Sequence, residues 1–71
     1  MAKCQLDFKR IVQRIVERRK SMRITQEKLA EYANISTRFM SDIETGKKKP
    51  GFETMFYIAE ALETTIDALT Y

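Results

Sequence analysis

Four polar residues near the middle of the chain have types and spacing suited to hydrogen-bond recognition. They are Thr37, Arg38, Ser41 and Asp42. An Arg side chain can donate to guanine O6 and N7 together, a Thr can contact the thymine methyl, and a carboxylate can accept from cytosine N4. Asp42 follows Arg38 by four residues, one helical turn, so it can instead pair with Arg38 and hold the guanidinium. This set predicts readout of DNA base edges; a simple exposed ion pair is the alternative for Arg38 and Asp42.

A helix, a tight turn and a second helix must position these side chains. In the segment TQEKLAEYANISTRFMSDIETG, Thr25 is expected to cap the first helix and Ser36 the second. Asn34 supplies the turn because it tolerates left-handed backbone, and Gly46 ends the second helix. The pattern predicts a helix-turn-helix at about residues 25–45, with its second helix in the major groove.

Helical spacing of apolar residues predicts three further helices, at about residues 7–20, at 52–62, and in a short last segment capped by Thr65. On the first of them, Arg10, Arg14 and Arg18 recur on the face opposite the apolar stripe. With no strand candidate, we expect an all-α fold, a compact five-helix DNA-binding domain that takes in residues 1–71 as a single domain.

Charge is distributed unevenly along the chain. Residues 1–51 contain all 13 Lys and Arg and six acidic residues, a net charge of +7, whereas residues 52–71 contain four acidic residues and no Lys or Arg. The basic part is expected to face a polyanion and the acidic part to face away from it. Backbone N–H groups at the start of the second predicted helix favour a phosphate there. The residues expected to contact the DNA backbone are Gln26, Arg23, Thr45, Lys47, Lys48 and Lys49.

Composition argues against several other classes of protein. One cysteine, Cys4, and no histidine exclude an internal disulfide and a Cys/His metal site, and we expect neither metal nor cofactor. No apolar run approaches the roughly 20 residues that span a bilayer, and the start MAKCQLDFKR lacks the apolar core of a signal peptide. We therefore expect a cytoplasmic protein. Because the sequence has no convincing nucleophile–base pair and no glycine-rich phosphate loop, we also expect that it is not an enzyme, and no small-molecule substrate is evident.

The chain resembles the Cro/phage-repressor-like helix-turn-helix family, also called the xenobiotic-response-element family, over about residues 7–70. The matching residues are Thr25-Gln26, Leu29-Ala30, Ile35-Ser36, Ile43-Glu44, Gly46-Lys47 and Pro50. Many members have glycine at the position of Asn34, and glycine or another flexible residue at that of Arg23.

The resemblance implies a lambda-repressor-like fold and a transcriptional regulator, a repressor, that binds operator DNA. It implies that Gln26 contacts a phosphate. It also implies that Arg19 and Glu44 form a structural ion pair between the first and third helices.

One recognition helix reads too few base pairs to select a genomic site, so we expect a homodimer on double-stranded DNA. Its interface is expected in the acidic C-terminal part, a region to which the family resemblance also points. The residues expected there are Ile66, Leu69, Tyr71, Phe56 and Tyr57. The alternative function is a protein-interaction module of the same fold that binds another regulator or a toxin; RNA binding is weaker because no aromatic platform is evident.

Overall fold

The computed structural model describes residues 8–70, which form five α-helices and contain no strand. The helices are α1 (Phe8–Ser21), α2 (Gln26–Tyr32), α3 (Thr37–Glu44), α4 (Phe52–Ala61) and α5 (Ile66–Thr70). The predicted all-α class and helix-turn-helix are confirmed, and the predicted bounds hold to within a residue or two. The predicted cap of α1, Asp7, lies outside the described residues.

The core forms where the apolar stripes of the five helices meet. α1 packs on α3 and α5, and α2 packs on α3 and α4. The largest fully buried side chains are Ile15, Leu29, Met40, Ile43, Ile58 and Leu62. Ala30 on α2 and Ala33 at its C-cap are also buried, where small side chains allow neighbouring helices to pack closely.

Hydroxyl caps begin three of the helices. The side-chain oxygens of Thr25, Ser36 and Thr65 accept hydrogen bonds from the backbone N–H groups three residues later, at 3.0, 3.0 and 3.1 Å. Each bond satisfies an N–H group that the first turn of a helix leaves without a partner. The local sequence therefore sets where α2, α3 and α5 begin.

Left-handed residues end the first four helices. Arg23, Asn34, Gly46 and Glu63 have φ values of 59°, 60°, 80° and 56°. In each case the backbone N–H of this residue and that of the next one return to carbonyls of the last turn, the pattern of a Schellman motif. The short connections between helices follow from these motifs, because each one reverses the chain within two or three residues.

Two arginines of α1 do not simply face solvent, as their spacing suggested. Arg14 Nη1 donates to the carbonyl of Leu69 at 3.2 Å, and Arg18 donates to the carbonyls of Leu62 and Glu63 at 2.9 and 3.0 Å. These carbonyls lie at the C-terminal ends of α4 and α5, where cations are stabilised by the helix dipole. α1 is thereby attached to both C-terminal helices.

Glu63 offers a test of the helix ends, since a residue with a Cβ atom is strained at its positive φ. We expect the free energy of unfolding of Glu63→Gly to be about 1 kcal/mol higher than that of Glu63→Ala. Glu60 is exposed within α4, and there the order should reverse: Glu60→Gly should be about 1 kcal/mol less stable than Glu60→Ala. Urea unfolding followed by circular dichroism gives all four values. The same order at both positions would contradict the strain at residue 63.

Candidate nucleic-acid interface

The outer surface of α3 carries the predicted base-reading side chains near the start of the helix. Thr37 and Arg38 are exposed, with 86% of the Arg38 side chain accessible, while Ser41 is half-buried. The Ser36 cap fixes the first turn on which Thr37 and Arg38 lie. A long cationic side chain therefore extends from the N-terminal half of α3 into open solvent.

Asp42 was expected to point outward, and the structure places it elsewhere. The residue is buried. The chain folds back after Gly46, and the N–H groups of Lys47 and Lys48 bond to the carbonyl of Asp42 at 2.8 and 3.2 Å. Its carboxylate lies 3.7 Å from Arg38 Nε and 3.8 Å from Lys48 Nζ. The expected acceptance from cytosine N4 by an unpaired, outward Asp42 does not fit this geometry, whereas the alternative, its pairing with Arg38, does.

The basic loop continues directly from the end of α3. Lys47, Lys48 and Lys49 are all exposed, and Lys49 Nζ lies 5.7 Å from the centre of the Phe8 ring. Thr45 is exposed as well, but its hydroxyl donates to the carbonyl of Ser41 at 2.9 Å. A contact from this hydroxyl to a phosphate oxygen therefore needs the hydroxyl proton to turn away from the helix.

A hydrogen bond to a side chain of α3 fixes the start of α2. Gln26 Nε2 donates to Glu44 Oε1 at 3.0 Å, which leaves the second N–H of the same amide for an outside acceptor. Arg23 is exposed in the turn before α2. Gln26 and Arg23, two of the six predicted backbone-contacting residues, therefore lie near the first turn of α2.

Arg19 and Glu44 lie in contact, as the resemblance implied. Arg19 Nε and Nη2 donate to the two carboxylate oxygens of Glu44 at 2.8 and 3.1 Å, and Arg19 Nη1 donates to the carbonyl of Ile24 at 3.0 Å. Their side chains are only 13% and 5% exposed. The sequence did not reveal that Gln26 also bonds to this carboxylate; its place one residue after a helix cap gave no signal of a partner 18 residues away.

The residues expected at a dimer interface separate into different environments. Leu69 is buried in the core of the monomer, so it does not serve as an interface residue. Ile66 is partly buried against the core, and Phe56 and Tyr57 are exposed; Tyr71 lies outside the described residues. Sequence reasoning overlooked Phe52, which is 77% exposed at the start of α4 and lines one surface groove with Phe56 and Ile66.

Groups of side chains suited to holding a metal ion were not found among residues 8–70. Within the same residues, no helix has the length and apolar character needed to cross a membrane.

Comparison with known proteins gives a family match across most of the chain. Residues 15–69 match the sequence profile of a helix-turn-helix family. The immunity repressor protein of Bacillus phage phi105 is 39% identical over 57 residues, which are 80% of this chain and 40% of that protein. The chain thus spans less than half the length of this relative.

Solved structures share the fold. The solution structure of the DNA-binding domain of the P22 c2 repressor has a TM-score of 0.80 and 28% identity, and the match covers 96% of this chain and 84% of that chain. The crystal structure of the P22 c2 repressor with a synthetic operator has a TM-score of 0.78 and 29% identity, and 92% of each chain is covered.

The burial of the Arg19–Glu44 pair predicts a large loss of stability when it is broken. Glu44→Ala should lower the free energy of unfolding by about 3 kcal/mol, because the guanidinium then stays buried without its carboxylate. Glu31→Ala is the control, since Glu31 pairs with Lys28 on an exposed surface and should cost less than about 1 kcal/mol. Thermal unfolding measures both, and equal midpoints would show that the buried pair is unimportant.

Proposed function

The chain belongs to the helix-turn-helix family of Cro and phage-repressor type, and from this we propose that it is a sequence-specific DNA-binding transcriptional regulator, acting as a repressor. The observation that supports this best is the exposed Arg38 on the outer surface of α3, flanked by the basic loop of Lys47, Lys48 and Lys49. α3 lies in the major groove, and the loop follows the phosphate backbone. The P22 c2 repressor, similar in structure, is seen bound to a synthetic operator.

The proposed contacts fall into two groups. Thr37, Arg38 and Ser41 face base edges, with Arg38 donating to guanine O6 and N7. The start of α2, through Gln26 and its free N–H groups, and the loop after α3 hold phosphates; Arg23 and Thr45 flank these two regions. Backbone contacts position the protein on the duplex, whereas base contacts select the sequence.

Repression follows from occupancy in this proposal. A protein bound across an operator blocks other proteins from the same DNA, and no step requires a catalytic group, a cofactor or a small-molecule substrate. The regulator acts in the cytoplasm, beside the DNA that it binds. Because phosphate contacts release counterions, affinity for all DNA falls steeply as salt concentration rises.

We also propose that the active form is a homodimer. The groove lined by Phe52, Phe56 and Ile66 is an apolar surface between α4 and α5, and burying it against a second copy would remove apolar area from water. A two-fold dimer would place two copies of α3 in successive major grooves, about 34 Å apart on the same face of the DNA.

Arg38→Ala tests the function. Random-sequence duplexes are first selected with the wild-type protein, and titrations then compare a selected duplex with a scrambled one. The variant should bind the selected duplex about 1–3 kcal/mol more weakly and lose its preference at one base pair, because a bidentate guanine contact disappears. Arg10→Ala removes the same charge from α1 and is the control. An equal loss on selected and scrambled DNA would contradict base readout by Arg38, and a wild type that enriches no sequence would favour the protein-interaction alternative.

Sedimentation at micromolar concentration tests the dimer. The double variant Phe52→Ser, Phe56→Ser should shift the protein towards monomer, because it removes the apolar surface between α4 and α5. Tyr32→Ser is the matched control, since Tyr32 is an exposed aromatic residue on α2. A charged substitution of Leu69 is unsuitable for this test, because Leu69 is buried and the substitution would disrupt the core. A wild-type protein that is monomeric both free and on a palindromic duplex would rule out the proposed dimer.

A further inference from the structure

The buried carboxylate of Asp42 lies between two exposed cations at the centre of the proposed DNA surface. Only 10% of the Asp42 side chain is exposed, while Arg38 and Lys48 beside it are 86% and 64% exposed. Arg38 belongs to the turn of α3 before Asp42, and Lys48 belongs to the loop after α3. The three side chains together carry a charge of +1, so Asp42 offsets one of the two cations that approaching DNA meets.

The atoms involved leave Arg38 able to read a base. Asp42 Oδ1 lies near Nε, on the stem side of the guanidinium, and the two terminal Nη groups are the fork that can donate to guanine O6 and N7. An ion pair at Nε restricts the rotations that would otherwise let Arg38 swing to the nearest phosphate. The arrangement therefore favours a base contact over a backbone contact for this side chain.

The contact with Asp42 makes Lys48 different from the other two lysines of the loop. Lys48 Nζ lies 3.8 Å from Asp42 Oδ2, so this carboxylate competes with a phosphate for the ammonium group. The carboxylate itself repels phosphates, and it does so on every DNA sequence alike. Both effects lower the affinity for all DNA, and most visibly the non-specific affinity, in which phosphate contacts dominate.

We propose that Asp42 is a positioning residue that raises the ratio of specific to non-specific DNA binding by holding Arg38 for base readout, and that lowers the affinity for all DNA by holding Lys48 away from the phosphates. This inference rests on the proposed function. In the basic loop, it assigns contacts with the DNA backbone to Lys47 and Lys49 only.

Asp42→Asn tests the inference, because it removes the charge and keeps the shape of the side chain. Affinity for a scrambled duplex should rise several-fold, and the ratio of selected to scrambled affinity should fall about tenfold, within the range expected for one bidentate base contact. The plot of log affinity against log salt for the scrambled duplex should steepen by about 0.9, the value for one added phosphate contact. Glu60→Gln makes the same charge change on α4 and should alter neither quantity.

Single lysine variants test the inference even if Asp42→Asn fails to fold. Lys47→Ala should make the salt dependence shallower by about 0.9, whereas Lys48→Ala should leave it close to the wild-type value. In the Asp42→Asn background, Lys48→Ala should restore the wild-type slope. A merely structural role for Asp42 would not produce this pattern.

The possible failures are distinguishable. A wild type that binds the selected and scrambled duplexes equally overturns the proposed function, and the inference with it. A wild type that discriminates, combined with an Asp42→Asn variant of unchanged ratio and slope, overturns the inference alone. So do equal reductions in slope for Lys47→Ala and Lys48→Ala.

Discussion

The arrangement of the DNA-facing helices depends on one carboxylate, that of Glu44. It belongs to α3, and it accepts hydrogen bonds from Arg19 of α1 and from Gln26 in the first turn of α2. Ionised groups removed from water are tolerated only when they are paired and hydrogen-bonded, and the guanidinium fork meets both requirements here. A shift of α2 relative to α3 would break the bond from Gln26, and a shift of α1 would leave the buried charge without its ionic partner. The distance between Gln26 and Arg38 is therefore fixed far more firmly than surface contacts could fix it.

Features governed by neighbouring residues could be predicted from the sequence. Thr25 and Ser36 begin helices because a hydroxyl close in sequence satisfies their first N–H groups, and Asn34 occupies the left-handed position that its chemistry favours. The helical spacing of apolar residues predicted α1, α4 and α5 for the same reason. The contact of Arg19 with Glu44, 25 residues apart, followed instead from the family resemblance, since no local pattern encodes it.

Features that depend on how the helices and loops pack together could not be predicted in this way. Helical spacing placed Asp42 on the outer face of α3, but it is buried where the chain folds back after Gly46 and bonds to its carbonyl. Leu69 was expected at a dimer interface, yet it is buried in the core, where α5 packs on α1. In the same way Arg18 finds its acceptors more than 40 residues away. Each of these outcomes depends on which helices come together, and helix spacing alone does not contain that information.

The attachments of α1 have a mechanical consequence for the dimer proposed above. This helix of 14 residues, about 21 Å long, holds the ends of α4 and α5 through Arg14 and Arg18, and it holds α3 through Arg19. It is thus a rigid connection between the apolar surface that would join two copies and the helix that would enter the groove. A rigid connection would fix the distance between the two copies of α3 in the dimer. Each base pair inserted between half-sites advances the DNA by about 3.4 Å and turns it by about 35°, so this protein would measure operator length as strictly as it reads operator sequence.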